Sequence, residues 1–144
     1  MSLFSLSEMS RRLKDIRKSM SDNGVDAIVI NSVHNTLYYS GFWMVPWGRH
    51  QGMVIPLEGD PAVIAPRIEF DRPHRMSIYD DVRIYWDTQS SVEGIVDIIK
   101  NVLSERGIEN GVIGFEETFA SYEFYQKLNL GLSNFTFKPF AYQL

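Results

Sequence analysis

Apolar positions at the start of the chain follow a helical spacing. They recur every three or four residues, at Leu6, Met9, Leu13, Ile16 and Met20. This spacing predicts a helix with one apolar stripe. A capping box of Ser5 and Glu8 precedes the stripe, and Gly24 follows it. Basic residues between positions 11 and 18, among them Arg12, fall on the opposite face, which we interpret as exposed to solvent.

The pattern then changes to short apolar runs. The continuous run at 27–30 predicts a strand buried on both faces, which is typical of a parallel α/β sheet. A short helix is predicted over 33–39. Segments 51–57 and 62–66 have strand character, and the sequence Glu58-Gly59-Asp60-Pro61 between them has turn chemistry. These two segments therefore predict a hairpin, which would make the sheet mixed.

The second half of the chain alternates between strand and helix patterns. Strands are predicted at 82–86, 112–115 and 135–138, and a helix at 92–103 after the cap Ser90. A further helix, capped by Thr118, is predicted to carry the stripe Phe119, Tyr122, Tyr125 and Leu128. About six strands and four or five helices then alternate, which predicts one α/β domain over residues 1–144, with three α/β/α layers around a mixed sheet.

Composition and charge exclude several classes of function. The chain has 144 residues, no cysteine and a net charge of −4. Disulfides and thiolate metal sites are therefore excluded, and the charge argues against a nucleic-acid partner. No apolar run approaches the roughly 20 residues of a membrane helix, and the first residues do not resemble a signal peptide. We expect a cytoplasmic protein without a membrane partner.

One aromatic stretch, residues 38–50, follows neither the spacing of a helix nor the pattern of a strand. It contains two of the three tryptophans, and glycine and proline interrupt it. Arg49 offers a planar fork for a carboxylate or phosphate, and Trp47 beside it could shield such an ion pair from water. Alternatively, Phe42, Trp43 and Trp47 are core rings and Arg49 pairs with a local acid. The residues alone favour the second interpretation, because exposed apolar patches are uncommon on monomers.

Several motifs together resemble a known family. They are Tyr38-Tyr39-Ser40-Gly41-Phe42, then Gly48-Arg49-His50-Gln51-Gly52-Met53-Val54-Ile55, then Gly59-Asp60-Pro61-Ala62. The preceding Gly24-Val25-Asp26-Ala27 and the later Ile113-Gly114-Phe115-Glu116 fit the same order. This succession resembles the N-terminal domain of the creatinase, aminopeptidase P and prolidase family. The resemblance covers essentially the whole chain.

The resemblance implies a ribonuclease H-like fold without a catalytic residue or a cofactor of its own. In the family, catalysis belongs to a following pita-bread domain, which residues 1–144 do not include. That domain holds two divalent metals if the parent is a peptidase and none if it is a creatinase. The resemblance also implies a homodimer, in which the N-terminal domain helps to cover the active site of the neighbouring subunit. The implied partners are the catalytic domain and a small-molecule or dipeptide substrate.

The loop motifs are most similar to those of creatinase. The resemblance implies that Arg49 reaches the carboxylate of the substrate in the neighbouring subunit, with Trp47 where a phenylalanine is expected. Phe42, Trp43 and His50 are then packing or interface residues. The implied function is the non-catalytic domain of a creatine amidinohydrolase-type C–N hydrolase. The alternatives are the same domain of a metal-dependent Xaa-Pro dipeptidase or aminopeptidase P, and a free-standing α/β interaction module.

Overall fold

A computed structural model describes residues 3–45, 48–86 and 90–144 of the chain. Its strands are β1 Ala27–Ile30, β2 Gly52–Pro56, β3 Ala62–Pro66, β4 Val82–Tyr85, β5 Gly111–Phe115 and β6 Phe135–Pro139. Its α-helices are α1 Leu6–Asn23, α2 Val33–Ser40, α3 Arg72–Met76, α4 Ser91–Glu105 and α5 Tyr122–Gly131. Two short 3₁₀ turns cover Arg67–Glu69 and Ala141–Gln143.

The strands form one six-stranded sheet in the order β4-β3-β2-β1-β5-β6. β1 pairs in parallel with β5, β5 with β6, and β3 with β4. β2 is antiparallel to both of its neighbours, β1 and β3. The predicted hairpin and mixed sheet are therefore confirmed. One edge of the sheet, here called the carboxyl edge, holds the ends of the five parallel strands and the start of β2.

Helices cover both faces of the sheet, which confirms the predicted three-layer α/β/α architecture. Residues of α4 and α5 pack with one set of strand side chains, for example Val54. Residues of α1 and the end of α2 pack with the other set, including the neighbouring Met53 and Ile55. The alternation along β2 follows from the strand itself, because successive side chains point to opposite faces.

The basic face of α1 is not uniformly exposed, which corrects the interpretation of Arg12. This side chain is only 8% exposed. Its guanidinium lies between the rings of Phe4 and Tyr38, 4.0 Å from each centroid. It also donates to the Tyr38 carbonyl at 2.7 Å and to Glu8 at 2.8 Å. A guanidinium is planar and weakly hydrated, so aromatic rings can cover it, and Arg12 joins α1 to the end of α2.

The start of α5 also differs from the prediction. The helix begins at Tyr122, and its cap is Ser121, whose hydroxyl accepts from the Phe124 amide at 3.1 Å. Thr118 and Phe119 lie in the preceding turn, where the Phe119 amide donates to the Glu116 carbonyl. Phe124 and Leu128 are the buried residues of this helix, whereas Tyr122 is 76% and Tyr125 37% exposed, so Leu128 is the helical member of the predicted stripe that enters the core. Both Thr118 and Ser121 are good caps, and the sequence does not choose between them.

At the carboxyl edge, a buried carboxylate connects the end of β5 to the segment that follows β1. Glu116, directly after β5, is 2% exposed. It accepts from the amides of Asn31 and Ser32 at 2.6 and 2.7 Å. It also accepts from the Ser32 hydroxyl and the Asn35 side chain, each at 2.6 Å. These donors lie at the start of α2. A carboxylate there accepts hydrogen bonds from amides that have no partner within the helix, and it interacts favourably with the helix dipole. Glu116 therefore fixes α2 against the end of β5.

Replacing Glu116 with glutamine should lower the free energy of unfolding by about 1–3 kcal/mol, because an amide cannot accept from all these donors. Urea denaturation followed by circular dichroism measures the change. The matched control is Glu58→Gln, since Glu58 is an exposed residue of the β2–β3 turn and should change the stability little. Equal stability of the two variants would contradict the role assigned to Glu116.

Candidate functional site

The carboxyl edge brings together the residues singled out in the aromatic stretch. Residues 48–51 lead into β2, whose start lies at this edge. Gly41 ends α2 with a φ of 83°, a left-handed conformation that favours glycine. Ligands of α/β sheets bind at the carboxyl ends of parallel strands, since helix starts and loops gather there. The position of this segment is that of a binding site.

The aromatic stretch divides between core and surface. Phe42 is fully buried and Met44 is 1% exposed, whereas Trp43 and Val45 are 36% and 44% exposed. Phe42 is therefore a core ring, as the second sequence interpretation holds, but Trp43 is not. Trp47, predicted to shield Arg49, lies outside the described residues.

Arg49 is half-buried and lies between two cavities. One cavity, of about 300 Å³, is lined by Met44, Val45, Arg49, Ile68 and Glu69. The other, of about 270 Å³, is lined by Asn31, Val33, Gly48, Arg49, His50, Gln51, Phe119 and Ser121. We call the second one the switch-point cavity. A partly buried guanidinium beside cavities can bind a carboxylate with less competition from water than an exposed one.

Five apolar side chains at the carboxyl edge are exposed. Val45 at 44% and Ile68 at 66% line the first cavity, and Trp43 at 36%, Phe70 at 52% and Trp86 at 61% belong to the same or neighbouring segments. We call these five residues the edge patch. Arginines cover part of it. The Arg67 guanidinium lies 4.2 Å from the Phe70 ring centroid and 5.0 Å from that of Trp86, and Arg72 lies 5.1 Å from the Trp43 ring. Aromatic rings and arginines in contact are the composition of interface centres.

His50 anchors the segment that carries Arg49. Its Nδ1 lies 2.8 Å from the Ser91 hydroxyl, and its ring stacks on Phe124 at a centroid distance of 5.7 Å. Its backbone carbonyl accepts from the Tyr85 hydroxyl at 2.7 Å. Burial lowers the pKa of His50 below its usual value, because the charged imidazolium loses hydration there, while Glu123 acts in the opposite direction. His50 thus packs inside the domain and holds the start of β2 against α4 and α5.

Asn31 and Gln51 are functional candidates that the sequence did not single out. They are 8% and 2% exposed, and both line the switch-point cavity. β1 and β2 approach each other closely beside these residues, because a Cβ at Gly52 would come within 2.2 Å of the Ile30 carbonyl oxygen. Their positions in the sequence could have identified them. Asn31 directly follows β1, Gln51 directly precedes β2, and such positions meet at one edge of the sheet.

The edge patch is the other feature that sequence reasoning missed. Ile68 and Phe70 belong to a segment that gave no clear periodicity, and Trp86 was assigned to a strand. In the structure Trp86 follows β4, at the carboxyl edge. Its neighbours from segment 67–70 follow β3 at the same edge. The shared position at strand ends was again the available signal.

Other features of the described residues have a structural explanation or do not form a site. A cavity of about 370 Å³ lies at the opposite edge, where Arg106 and Asp26 line it. Both have structural partners: Arg106 pairs with Asp81, and Asp26 accepts from the Val112 amide. Across residues 3–45, 48–86 and 90–144, no group of three or more His, Cys, Asp or Glu side chains could hold a metal ion. No helix in these ranges combines the length and apolarity needed to cross a bilayer.

The family model of the creatinase/prolidase N-terminal domain matches residues 12–144. The chain belongs to this family. The match confirms the resemblance read from the loop motifs, and it covers every element of the sheet. The carboxyl edge, with Arg49 and the switch-point cavity, lies within the matched range.

Curated relatives of this N-terminal domain include enzymes of different names. The chain is 30% identical over 131 residues to a creatinase of Bacillus sp. (strain B-0618). The alignment covers 91% of this chain and 31% of the relative. It is 25% identical over 118 residues to an ectoine hydrolase of Halomonas elongata, covering 78% of this chain and 30% of the relative. The chain thus spans about a third of the length of these relatives.

Solved structures confirm the fold of the N-terminal domain. A proline dipeptidase from Streptococcus pneumoniae TIGR4 superposes with a TM-score of 0.79 at 17% identity. The alignment covers 92% of this chain and 93% of that chain. The solved chain is therefore about as long as this one.

Stability should fall as the pH drops through the titration of His50. The folded pKa of His50 lies below its unfolded value of 6.5, so the unfolded chain takes up the proton first. The stabilisation is complete above about pH 7.5 and is lost as the pH falls through the unfolded pKa toward the folded one. His50→Gln removes this component.

Urea denaturation of wild type and His50→Gln at several pH values between about 5.5 and 7.5 measures the difference between their free energies of unfolding. The contributions of the other titrating groups cancel in this difference. His74→Gln serves as the control, because His74 is exposed on α3. A loss of stability that is the same in wild type and His50→Gln would exclude His50 as its source.

Proposed function

We propose that this chain is the non-catalytic N-terminal domain of a creatinase-like C–N hydrolase of the creatine amidinohydrolase type. In this proposal, the domain docks in a homodimer and presents Arg49 to the substrate carboxylate in the neighbouring subunit. The observation that carries it is the position of Arg49. It lies half-buried at the carboxyl edge, beside two cavities and next to the edge patch.

The edge patch supports docking. Five large apolar side chains at the carboxyl edge are each at least one-third exposed. Val45 and Ile68 line the cavity beside Arg49, Phe70 and Trp86 lie near Arg67, and Trp43 lies near Arg72. Exposed apolar side chains concentrated in one region are typical of an interface. The occupant proposed here is the catalytic domain of the neighbouring subunit, because the matched relatives are about three times as long as this chain.

The parent reaction has two candidates within the family. The 30% identity to a creatinase supports the C–N hydrolase. A metal-dependent Xaa-Pro dipeptidase or aminopeptidase P is the second candidate, since the superposed structure is a proline dipeptidase. Chelation of divalent metals in the full-length parent distinguishes them. A creatinase-type parent should keep its activity after dialysis against EDTA, and a peptidase-type parent should lose it and regain it with metal.

Arg49→Ala in the full-length parent should lower kcat/KM for creatine about 10- to 100-fold, the effect of one charge-assisted contact to a carboxylate. The kcat/KM for a neutral amide derivative of creatine should fall much less in this variant, because the derivative lacks the charge that Arg49 recognises. Lys18→Ala is the control, since Lys18 is an exposed cation on α1. An unchanged kcat/KM for creatine in Arg49→Ala would refute the role of Arg49 and leave the docking proposal standing.

Ile68→Asp should dissociate the parent dimer, because it places a charge within the edge patch. Ile68 is 66% exposed, so the fold of the single domain should be unaffected. Sedimentation velocity of the full-length protein measures the change. Leu130→Asp is the matched control, since Leu130 is 77% exposed near the end of α5, at the opposite edge of the sheet. If both variants remain dimers, the edge patch is not the dimer interface.

A further inference from the structure

Tyr85 is a buried tyrosine that connects its own strand to the segment of Arg49. It is the last residue of β4 and is 3% exposed. Its hydroxyl donates to the His50 carbonyl at 2.7 Å, just before the start of β2. Since β3 separates β4 from β2 in the sheet, the tyrosine side chain crosses one whole strand to reach this carbonyl. A phenylalanine ring would fill the same space, but only the hydroxyl makes this link.

Helix α4 leaves space for the Tyr85 ring at Gly94. A Cβ at this glycine would come within 2.8 Å of the ring. Glycine in the middle of a helix is destabilising relative to alanine, because it loses more conformational freedom on folding. Gly94 lies within α4, Ser91–Glu105, so the helix carries this cost at the position where the ring packs. The close contact restricts the ring and therefore the direction of its hydroxyl.

Of the two residues that flank Arg49, His50 is the one held by other elements of the domain. Its Nδ1 lies 2.8 Å from the Ser91 hydroxyl of α4, and its ring stacks on Phe124 of α5. On the other side, Gly48 is exposed, and a Cβ there would meet nothing within 4 Å. The backbone of Arg49 is therefore fixed from the His50 side, to which the tyrosine of β4 adds the contact to the main chain.

The position of the backbone matters for a guanidinium that binds a carboxylate. Such a contact uses two parallel N–H groups in a planar fork, so it depends on direction as well as on distance. A displacement of about 1 Å at a binding group can lower a rate about 100-fold. A hydrogen bond to the residue next to the arginine is thus able to affect recognition without touching the substrate.

We propose that Tyr85 is a positioning residue for Arg49. Its hydroxyl holds the His50 carbonyl, and the fixed main chain directs the guanidinium toward the substrate carboxylate. The inference rests on the proposed function for the role of Arg49. It adds a residue that lies 36 positions further along the chain, beneath α4, and that contacts neither substrate nor solvent to any extent.

The first test uses the 144-residue chain and measures ¹⁵N relaxation. Amide order parameters of residues 49 and 50 should be about 0.85 in wild type, like those of β2, and should fall by about 0.1 or more in Tyr85→Phe. Tyr79→Phe is the matched control. It also removes a buried tyrosine hydroxyl, but this one has no hydrogen-bond partner within the described part of the chain. The control should keep the wild-type order parameters at both residues.

The second test measures kcat/KM in the full-length parent. Tyr85→Phe should lower the value for creatine about 3- to 10-fold, the range expected for one neutral hydrogen bond. In an Arg49→Ala background the same change should cause no further loss, because the group that it positions is gone. The value for a neutral amide derivative of creatine should change little, and Tyr79→Phe should behave like wild type with both substrates.

Unchanged order parameters in Tyr85→Phe would overturn the inference. An unchanged kcat/KM for creatine in this variant, beside an impaired Arg49→Ala, would do the same. A loss that persists in the Arg49→Ala background, or that is equal for creatine and its neutral derivative, would show general destabilisation and also refute positioning. If Arg49→Ala itself leaves kcat/KM unchanged, the proposed function fails, and the order parameters alone decide whether Tyr85 positions Arg49.

Discussion

The reversed direction of β2 is the constraint on which the site depends. Five strands of the sheet point one way, and β2 alone enters from the carboxyl edge. Segment 48–51 must therefore lie beside the ends of β1 and β5, where Asn31 and Glu116 emerge. Were β2 parallel to its neighbours, Arg49 and Gln51 would lie at the opposite edge, away from these groups. The close approach of Gly52 to the Ile30 carbonyl is the local contact that this arrangement requires.

Internal polar contacts hold the framework of the carboxyl edge. Glu116 joins the end of β5 to the start of α2 with four hydrogen bonds. His50 joins the start of β2 to α4 and α5 through Ser91 and the Phe124 ring. Both side chains serve the domain itself. The chemistry directed outward belongs to their neighbours, the edge patch on one side of Arg49 and the switch-point cavity on the other. A rigid support below a set of outward-facing groups is the arrangement that specific recognition requires.

The sequence interpretation of segment 38–50 was half right, for a physical reason. Phe42 and Trp43 are adjacent aromatic residues of similar hydrophobicity, yet one is fully buried and the other 36% exposed. Residues 42–45 alternate between buried and exposed side chains, so the two neighbouring rings do not both enter the core. Hydrophobicity does not say which of the two points inward. The same limit applies to Arg12, whose exposure was predicted from its charge and which two aromatic rings enclose.

The sequence by itself determined the order of helices and strands, the hairpin, the three-layer architecture and the family. These follow from local periodicity, capping residues and turn chemistry, which act over a few neighbouring positions. Only the tertiary structure decided which residues meet at the carboxyl edge. Asn31, Gln51, Ile68, Trp86 and Phe119 are far apart along the chain, and strand order and direction set their neighbours. The structure likewise shows that Ser121, and not Thr118, caps α5, and that Phe124 and Leu128 are the residues of this helix in the core.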